Sequence, residues 1–124
     1  MRQEGKSINP GDRLMAASEL PVGSSRVVAV SFDDRDMEII VVHTPDGFRA
    51  YLNQCRHLPV SLDWGDGEVL DETGLYFQCR THGALFRLSD GLCIAGPCNG
   101  KPLRPVSIRE SCGFIHFLGP GEMP

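Results

Sequence analysis

Residues 79–86 read CRTHGALF and contain a Cys-x-x-His pair, Cys79 and His82. A Cys-x-His pair, Cys55 and His57, lies upstream, and residues 58–78 separate the two pairs. Each pair follows a run of residues that is typical of a β-strand, so each is expected at the start of a loop. Thiolate and imidazole are the ligands that soft and borderline transition metals prefer. The pattern therefore predicts one metal centre with four protein ligands.

The distribution of these ligands is unlike that of a typical zinc finger, in which a hairpin supplies two thiolates and a helix supplies two imidazoles. Here each loop contributes one cysteine and one histidine. Two alternatives stay open at this point: a structural zinc site with the same four ligands, and a set of buried cysteines and histidines without a metal. His43 and His116 lie in strand-like runs outside the pattern and are interpreted as packing or surface residues.

On either side of the two Cys/His pairs, the chain consists of short runs rich in β-branched or aromatic residues, separated by turn residues. Such runs predict strands. The predicted strands are residues 26–32, 37–44, 48–53, 76–78, 84–88, 103–109 and 114–118, with a hairpin tip at residues 111–113. No long apolar stripe of helical period occurs, and residues 13–20 are expected to form at most a turn or two of helix. We therefore expect an all-β fold: a small antiparallel β-sandwich or barrel with a loop-rich, glycine-rich region between residues 55 and 102.

The composition is that of a globular protein and limits the possible functions. The chain has 124 residues, of which 41% are hydrophobic and 23% are charged, so one domain is expected. A net charge of −4 offers no basic excess for binding nucleic acid. No apolar run approaches the roughly 18 residues of a membrane span, and no signal-peptide pattern is present, so we expect a cytoplasmic protein without membrane partners. Residues 1–12 and 119–124 are expected to be loose tails around a domain at residues 13–118.

The second ligand loop and the residues after it resemble the Rieske [2Fe–2S] family. The resemblance takes in the His-Gly-Ala-x-Phe motif at residues 82–86, Asp90-Gly91 and Gly96-Pro97, and it extends over roughly residues 20–118. In that family two thiolates hold one iron and two imidazoles hold the other. The resemblance implies a Rieske-type fold, with a cluster-binding region at about residues 53–102.

Carried over residue by residue, the resemblance implies that Cys55 and Cys79 bind the inner iron of one [2Fe–2S] cluster. His57 and His82 would bind the outer iron, near solvent. Two ferric ions, two sulfides and two thiolates sum to zero charge, so the oxidised centre is neutral and the reduced centre carries one negative charge. The implied function is one-electron transfer.

The implied role is that of a soluble electron carrier, the ferredoxin component of an oxygenase system, and not of a catalytic enzyme, because 124 residues leave no room for a catalytic iron domain. The expected partners are a flavin-dependent reductase and a terminal oxygenase or another oxidoreductase. One alternative is the small subunit of a nitrite-reductase-like oxidoreductase. The other is a zinc-stabilised binding module without redox function.

Three further features lie near the expected centre. Cys93 and Cys98 flank the Gly-Pro loop, and they are expected to be two reduced thiols, with a disulfide as the alternative. The acidic residues between 63 and 72 predict a solvated loop, or else a docking edge for a redox partner. Ala84 and Phe86 occupy positions where high-potential Rieske proteins carry serine and tyrosine hydroxyls, so a low reduction potential is expected.

Overall fold

The computed structural model describes residues 6–55, 61–63, 66–81 and 83–121. These residues form an all-β fold of three sheets, which confirms the predicted fold class. The strands in chain order are β1 Lys6–Ser7, β2 Arg13–Ala16, β3 Ser25–Phe32, β4 Arg35–Thr44, β5 Gly47–Leu52, β6 Tyr76–Gln78, β7 Leu85–Arg87, β8 Cys93–Ala95, β9 Val106–Ser111 and β10 Phe114–Pro120. Within the described ranges, no helix is long and apolar enough to cross a membrane.

The three sheets have the strand orders β1-β3-β4-β5, β2-β10-β9 and β6-β7-β8. The pairing is antiparallel except between β1 and β3, which are parallel. The central meander β3-β4-β5 was predicted to within two residues at each boundary. β3 and β4 are rich in β-branched residues and β5 carries Phe48 and Tyr51, so the local pattern alone identifies these strands.

Two tight turns agree with the sequence prediction. Asp33 and Asp34 join β3 to β4 with φ angles of 53° and 61°, and Cys112 and Gly113 join β9 to β10 with φ angles of 53° and 82°. A two-residue turn with both φ angles positive has the twist that antiparallel strands require. Aspartate and glycine tolerate this conformation well, whereas cysteine does not.

The predicted tails at residues 1–12 and 119–124 are wrong where the structure describes them. Residues 6–7 pair with β3, and Ile8, which is 6% exposed, packs into the core. At the other end, β10 continues to Pro120, and the Gly121 N–H donates to the Pro105 carbonyl oxygen at 2.9 Å. A two-residue strand with one buried isoleucine is too short to give a detectable sequence period.

Two further strands were not predicted. β2 occupies half of the segment for which at most a turn or two of helix was expected, and the helical part is limited to the 3-10 turn Ala17–Glu19. β8 is a three-residue strand that pairs with β7. β2 depends on a partner that is distant in sequence, since it pairs with β10.

Strand β4 lies between two apolar cores. Ile39 and Val41 belong to the core shared with the second sheet, whereas Ile40 and Val42 belong to the core beneath the third sheet. Successive strand residues point to opposite faces, so a run of four β-branched residues is buried on both sides. The core beneath the third sheet also contains Tyr51, Phe77 and Phe86, and it supports both predicted ligand loops.

Candidate metal centre

Cys55 lies three residues after the end of β5. The Asn53 N–H donates to the Glu38 carbonyl oxygen at 2.8 Å, and the Gln54 N–H donates to the Leu52 carbonyl oxygen at 2.9 Å, so the chain leaves the sheet in a fixed direction. The Cys55 side chain is 2% exposed and is a free thiol. Its predicted companion His57 lies outside the described residues.

Cys79 follows β6 directly and begins a tight loop. The Cys79 N–H donates to the Ala84 carbonyl oxygen at 2.9 Å, and the Gly83 N–H donates to the Cys79 carbonyl oxygen at 2.7 Å. The φ angle of Gly83 is 74°, a conformation that glycine adopts without steric cost. Cys79 is in no disulfide and is fully buried, at 0% exposed, while His82, the other predicted ligand of this loop, lies outside the described residues.

A third loop, residues 96–100, follows β8 and packs against the second ligand loop. Gly96 has a φ angle of 100°, and a Cβ added there would lie 2.7 Å from the Ala84 Cα atom. Only glycine permits this close approach of the two backbones. The Gly-Pro motif of the sequence therefore covers the loop that carries Cys79.

Cys93 and Cys98 are buried free thiols, as expected, and not a disulfide. The Cys98 thiol donates to the Cys93 sulfur, with 3.2 Å between the two Sγ atoms, and the Cys93 thiol donates to the Ala95 carbonyl oxygen at 3.1 Å. Burial raises the pKa of Cys98 to about 12, with further contributions from Cys93 and Cys55 beside it. Cys98 therefore stays protonated at neutral pH, next to a predicted ligand.

The acidic stretch at residues 63–72 differs from the predicted solvated loop at its first residue. Asp63 is 4% exposed, and its Oδ2 accepts a hydrogen bond from the Gly67 N–H at 2.7 Å. The Asn53 side-chain amide donates to Asp63 Oδ1 at 2.9 Å. Of the other acidic residues in the stretch, Asp66, Glu68 and Glu72 are exposed, as predicted. Asp63 thus belongs to the interior, where hydrogen bonds compensate its charge.

Asp71, the remaining acidic residue, closes the turn before β6. Its Oδ1 accepts hydrogen bonds from the Thr73 hydroxyl at 2.8 Å and from the Tyr76 N–H at 3.4 Å. Burial raises the pKa of this carboxyl, but the hydrogen bonds from Thr73 and nearby backbone N–H groups outweigh it and lower the pKa below its usual value. This side chain orders the spacer between the two ligand loops.

Two features of the site do not follow from the sequence: the contact between Asn53 and Asp63, and the position of Cys98 beside Cys55. Asn53 was identified only as the end of a strand. An amide two residues before a ligand cysteine is a weak signal, because its partner is ten positions away and is recognised only when the loop is closed. Cys98 was noted in the third loop, but its distance from Cys55 does not follow from sequence spacing.

The comparisons with known proteins agree with this geometry. The family model described as the Rieske [2Fe–2S] domain matches residues 13–110, so the chain belongs to that family. The ferredoxin of carbazole 1,9a-dioxygenase from Nocardioides aromaticivorans IC177 is 25% identical, with a TM-score of 0.66, and the alignment covers 90% of this chain and 99% of that one. No curated protein matches the chain.

Two other solved structures are similar in fold. A chain in the complex of reduced oxygenase and oxidized ferredoxin in carbazole 1,9a-dioxygenase is 24% identical, with a TM-score of 0.68 and coverage of 91% of this chain and 96% of that one. The terminal oxygenase of carbazole 1,9a-dioxygenase from the same Nocardioides strain is 19% identical, with a TM-score of 0.70, and the match covers 94% of this chain but 32% of the oxygenase. At these identities the likeness shows the fold alone.

Family membership confirms the predicted cofactor, one Rieske-type [2Fe–2S] cluster. Together with the match to a ferredoxin over nearly its whole length, it confirms the predicted role of an electron carrier. The described residues fit the thiolate side of such a cluster, because two buried cysteines that form no disulfide follow β5 and β6 and belong to one apolar core. No group of three potential ligands occurs among the described residues, which exclude the two predicted imidazoles.

Proposed function

We propose that this chain is the ferredoxin component of an oxygenase system, with the cluster held by Cys55, His57, Cys79 and His82. One observation carries the proposal: Cys55 and Cys79, neither of them in a disulfide, lie in the same buried core, each at the start of a loop that leaves a strand of the Rieske fold. When bound, the cluster supplies a site that takes up and releases one electron. The protein's own contribution is to hold and shield that site.

The burial of Cys55 and Cys79 would shield the thiolate side of the cluster from water. Cys55 and Cys79 are buried and belong to the same apolar core as Leu62, Phe77 and Phe86, and the third loop covers Ala84. A low-dielectric surrounding at Cys55 and Cys79 would disfavour added negative charge on the thiolate side of a bound cluster. His57 and His82 would then form the exit toward a partner protein.

The proposed partners are a flavin-dependent reductase, which delivers the electron, and a terminal oxygenase, which receives it. The support comes from the size of the match, because the chain is covered nearly end to end by a carbazole dioxygenase ferredoxin of similar length. It also comes from the similar chain found in a solved complex of reduced oxygenase and oxidized ferredoxin. All five cysteines are free thiols, as in a reducing compartment, and we propose a cytoplasmic location.

The experiment that tests the ligand assignment compares two cysteine variants. Cys55→Ser is expected to abolish cluster binding, whereas Cys112→Ser removes an exposed thiol at a hairpin tip and is expected to retain the cluster. The measurements are iron and sulfide content, the visible spectrum, and the electron paramagnetic resonance signal after dithionite reduction. An unchanged iron content in Cys55→Ser, or a colourless wild-type protein that contains zinc, would contradict the proposal.

The imidazole ligands are tested by exchange for thiolates. His57→Cys or His82→Cys is expected to retain iron but to lower the reduction potential, because an anionic ligand replaces a neutral one. Transfer to the partner is measured by rapid mixing of the reduced protein with a Rieske-type terminal oxygenase. Electron transfer from the reduced protein to the oxygenase would support the role of an oxygenase ferredoxin. Transfer to a nitrite-reductase-like enzyme and not to the oxygenase would contradict that role.

A further inference from the structure

The two ends of the first ligand loop are joined by a single buried side chain. Asn53 lies directly after β5, two residues before Cys55, and is 6% exposed. Its backbone N–H donates to the Glu38 carbonyl oxygen at 2.8 Å, so its main chain is still attached to β4. The side chain is therefore presented from a rigid strand end.

Both polar atoms of the Asn53 side-chain amide form hydrogen bonds. Its Oδ1 accepts a hydrogen bond from the Leu62 N–H at 2.9 Å, and its Nδ2 donates to Asp63 Oδ1 at 2.9 Å and to Glu38 Oε1 at 3.1 Å. A backbone N–H can only donate and an ionised carboxylate can only accept, so these partners define the orientation of the amide. An aspartate or a leucine of similar size could not replace it.

The far side of the loop is itself held in place. Asp63 Oδ2 accepts from the Gly67 N–H at 2.7 Å, and the Ser61 hydroxyl donates to Glu38 Oε1 at 3.3 Å. Residues 61–63 are thus attached both to Asn53 and to strand β4. Residues 56–60, which include the proposed ligand His57, lie between these two fixed ends of the chain.

We propose that Asn53 is a positioning residue of the metal centre, which joins the two described ends of the first ligand loop and sets the position of Cys55. This inference rests on the proposed function. Glu38 and Asp63 are its anchors, one on a strand and one on the spacer that follows the loop. The amide touches neither iron nor sulfide in this role and acts through the loop that carries the ligands.

If Asn53 had a purely structural role, its loss would lower stability without a specific effect on the metal centre. Thr44 provides the matched control for this distinction. Thr44 is also 6% exposed and lies at the other end of the β4–β5 pair. Its hydroxyl donates to the Gly47 carbonyl oxygen at 2.8 Å and accepts from the Asp46 N–H at 3.2 Å. Thr44→Ala therefore removes buried hydrogen bonds from the same sheet without affecting a ligand loop.

The experiment compares wild-type holoprotein with Asn53→Ala and Thr44→Ala. The measurements are the rate at which an iron chelator removes the cluster, the reduction potential, and the line shape of the electron paramagnetic resonance signal. Both variants are expected to unfold at lower denaturant concentration. Asn53→Ala is expected to lose its cluster about tenfold faster than wild type, as the loss of charge-assisted hydrogen bonds implies. Thr44→Ala is expected to stay within about twofold of wild type, because it leaves the ligand-loop hydrogen bonds intact.

A rescue pair tests the specific hydrogen bonds. Asn53→Asp places a third carboxylate beside Glu38 and Asp63 and is expected to release its cluster at least as fast as Asn53→Ala. In the double variant Asn53→Asp/Asp63→Asn, the amide at position 63 can donate to the carboxylate at position 53 and still accept from the Gly67 N–H. The double variant is expected to release its cluster more slowly than Asn53→Asp but faster than wild type, because the carboxylate at position 53 still faces Glu38 without a donor between them.

The inference is overturned if Asn53→Ala and Thr44→Ala release the cluster at the same rate with wild-type line shape and potential. If Asn53→Ala does not fold, the rescue pair decides, and equal release rates for Asn53→Asp and the double variant overturn the inference. A wild-type protein that binds no [2Fe–2S] cluster overturns the proposed function as well. A wild-type protein that holds its cluster while the Asn53 variants behave as the control overturns the positioning role alone.

Discussion

Gly96 packs so closely on Ala84 that a Cβ at position 96 would lie 2.7 Å from the Ala84 Cα atom and 3.0 Å from its Cβ atom. The third loop and the second ligand loop are therefore in direct backbone contact. Ala84 also accepts the hydrogen bond from the Cys79 N–H at 2.9 Å. Any displacement of Gly96 is transmitted to the loop that carries a proposed ligand.

Gly96→Ala is expected to destabilise the protein by more than about 2 kcal/mol and to speed cluster loss, because a left-handed φ of 100° and a backbone clash act together. Gly100→Ala is the matched control. Gly100 lies in the same loop at a φ of 90° but has nothing within 4 Å of the added Cβ, so only the conformational cost of about 1 kcal/mol applies. Urea unfolding and chelator kinetics measure both variants, and equal effects would show that the contact with Ala84 is unimportant.

Ala84→Ser and Phe86→Tyr are each expected to raise the reduction potential. Both positions are fully buried in the core that contains Cys55 and Cys79, so an added hydroxyl would be shielded from water. A hydrogen bond to a charged acceptor contributes about 1.5–3 kcal/mol, which corresponds to about 60–130 mV for one electron. Voltammetry of the wild-type protein is expected to give a value near the low end of the Rieske range of about −150 to +300 mV.

Arg80→Ala is the companion variant, and it is expected to lower the potential by less than either hydroxyl raises it. The Arg80 Nε donates to the Glu68 carbonyl oxygen at 3.1 Å, and the side chain is partly exposed, so its charge is screened. A wild-type potential above about +200 mV would contradict this ordering, which depends on the absence of the two hydroxyls.

Tyr51 is expected to make the protein less stable at alkaline pH. The pKa of Tyr51 is raised from 10.0 to about 12, chiefly by burial and also by the nearby Asp90 carboxylate, against a lowering by Arg49. Above pH 10 the unfolded chain loses this proton first, so the unfolding free energy falls, by about 1 kcal/mol at pH 11. Denaturant unfolding at pH 8 and pH 11 measures the decrease.

Tyr51→Phe serves as the control for that measurement. It removes the titrating group and also the hydrogen bond from the Tyr51 hydroxyl to the Leu88 carbonyl oxygen at 2.9 Å. The variant is expected to be about 1 kcal/mol less stable at pH 8, and less sensitive to pH between 8 and 11 than the wild type. An identical pH dependence in both proteins would assign the alkaline effect to other groups.

Cys112→Asn is expected to stabilise the protein. Cys112 is exposed in the β9–β10 turn with a φ of 53°, followed by Gly113 with a φ of 82°. Asparagine before glycine is the preferred pair for this two-residue turn, and a gain of about 0.5–1 kcal/mol is expected. Thermal unfolding of the holoprotein measures the change. A lower melting temperature would show that the cysteine makes a contact worth more than the relief of backbone strain.

The sequence alone was sufficient for features that depend on local pattern. The strands β3 and β4 are rich in β-branched residues and β5 carries the aromatic residues Phe48 and Tyr51, and the predicted boundaries of all three differ from the structure by at most two residues. The turn at Cys112-Gly113 was equally recognisable. The two Cys/His pairs identified the family because their spacing and the motif after His82 are specific chemical requirements of a mixed thiolate and imidazole site.

The tertiary structure was needed wherever a residue acts through a partner distant in sequence. Ile8 gives no periodic signal, and its burial depends on the parallel pairing of β1 with β3. Asp63 reads as one charge in an acidic loop, yet it is buried because Asn53 and Gly67 donate to both of its carboxylate oxygens. A local pattern reports what a segment of chain prefers, whereas burial and hydrogen-bond partners depend on which segments meet when the chain closes into two cores around β4.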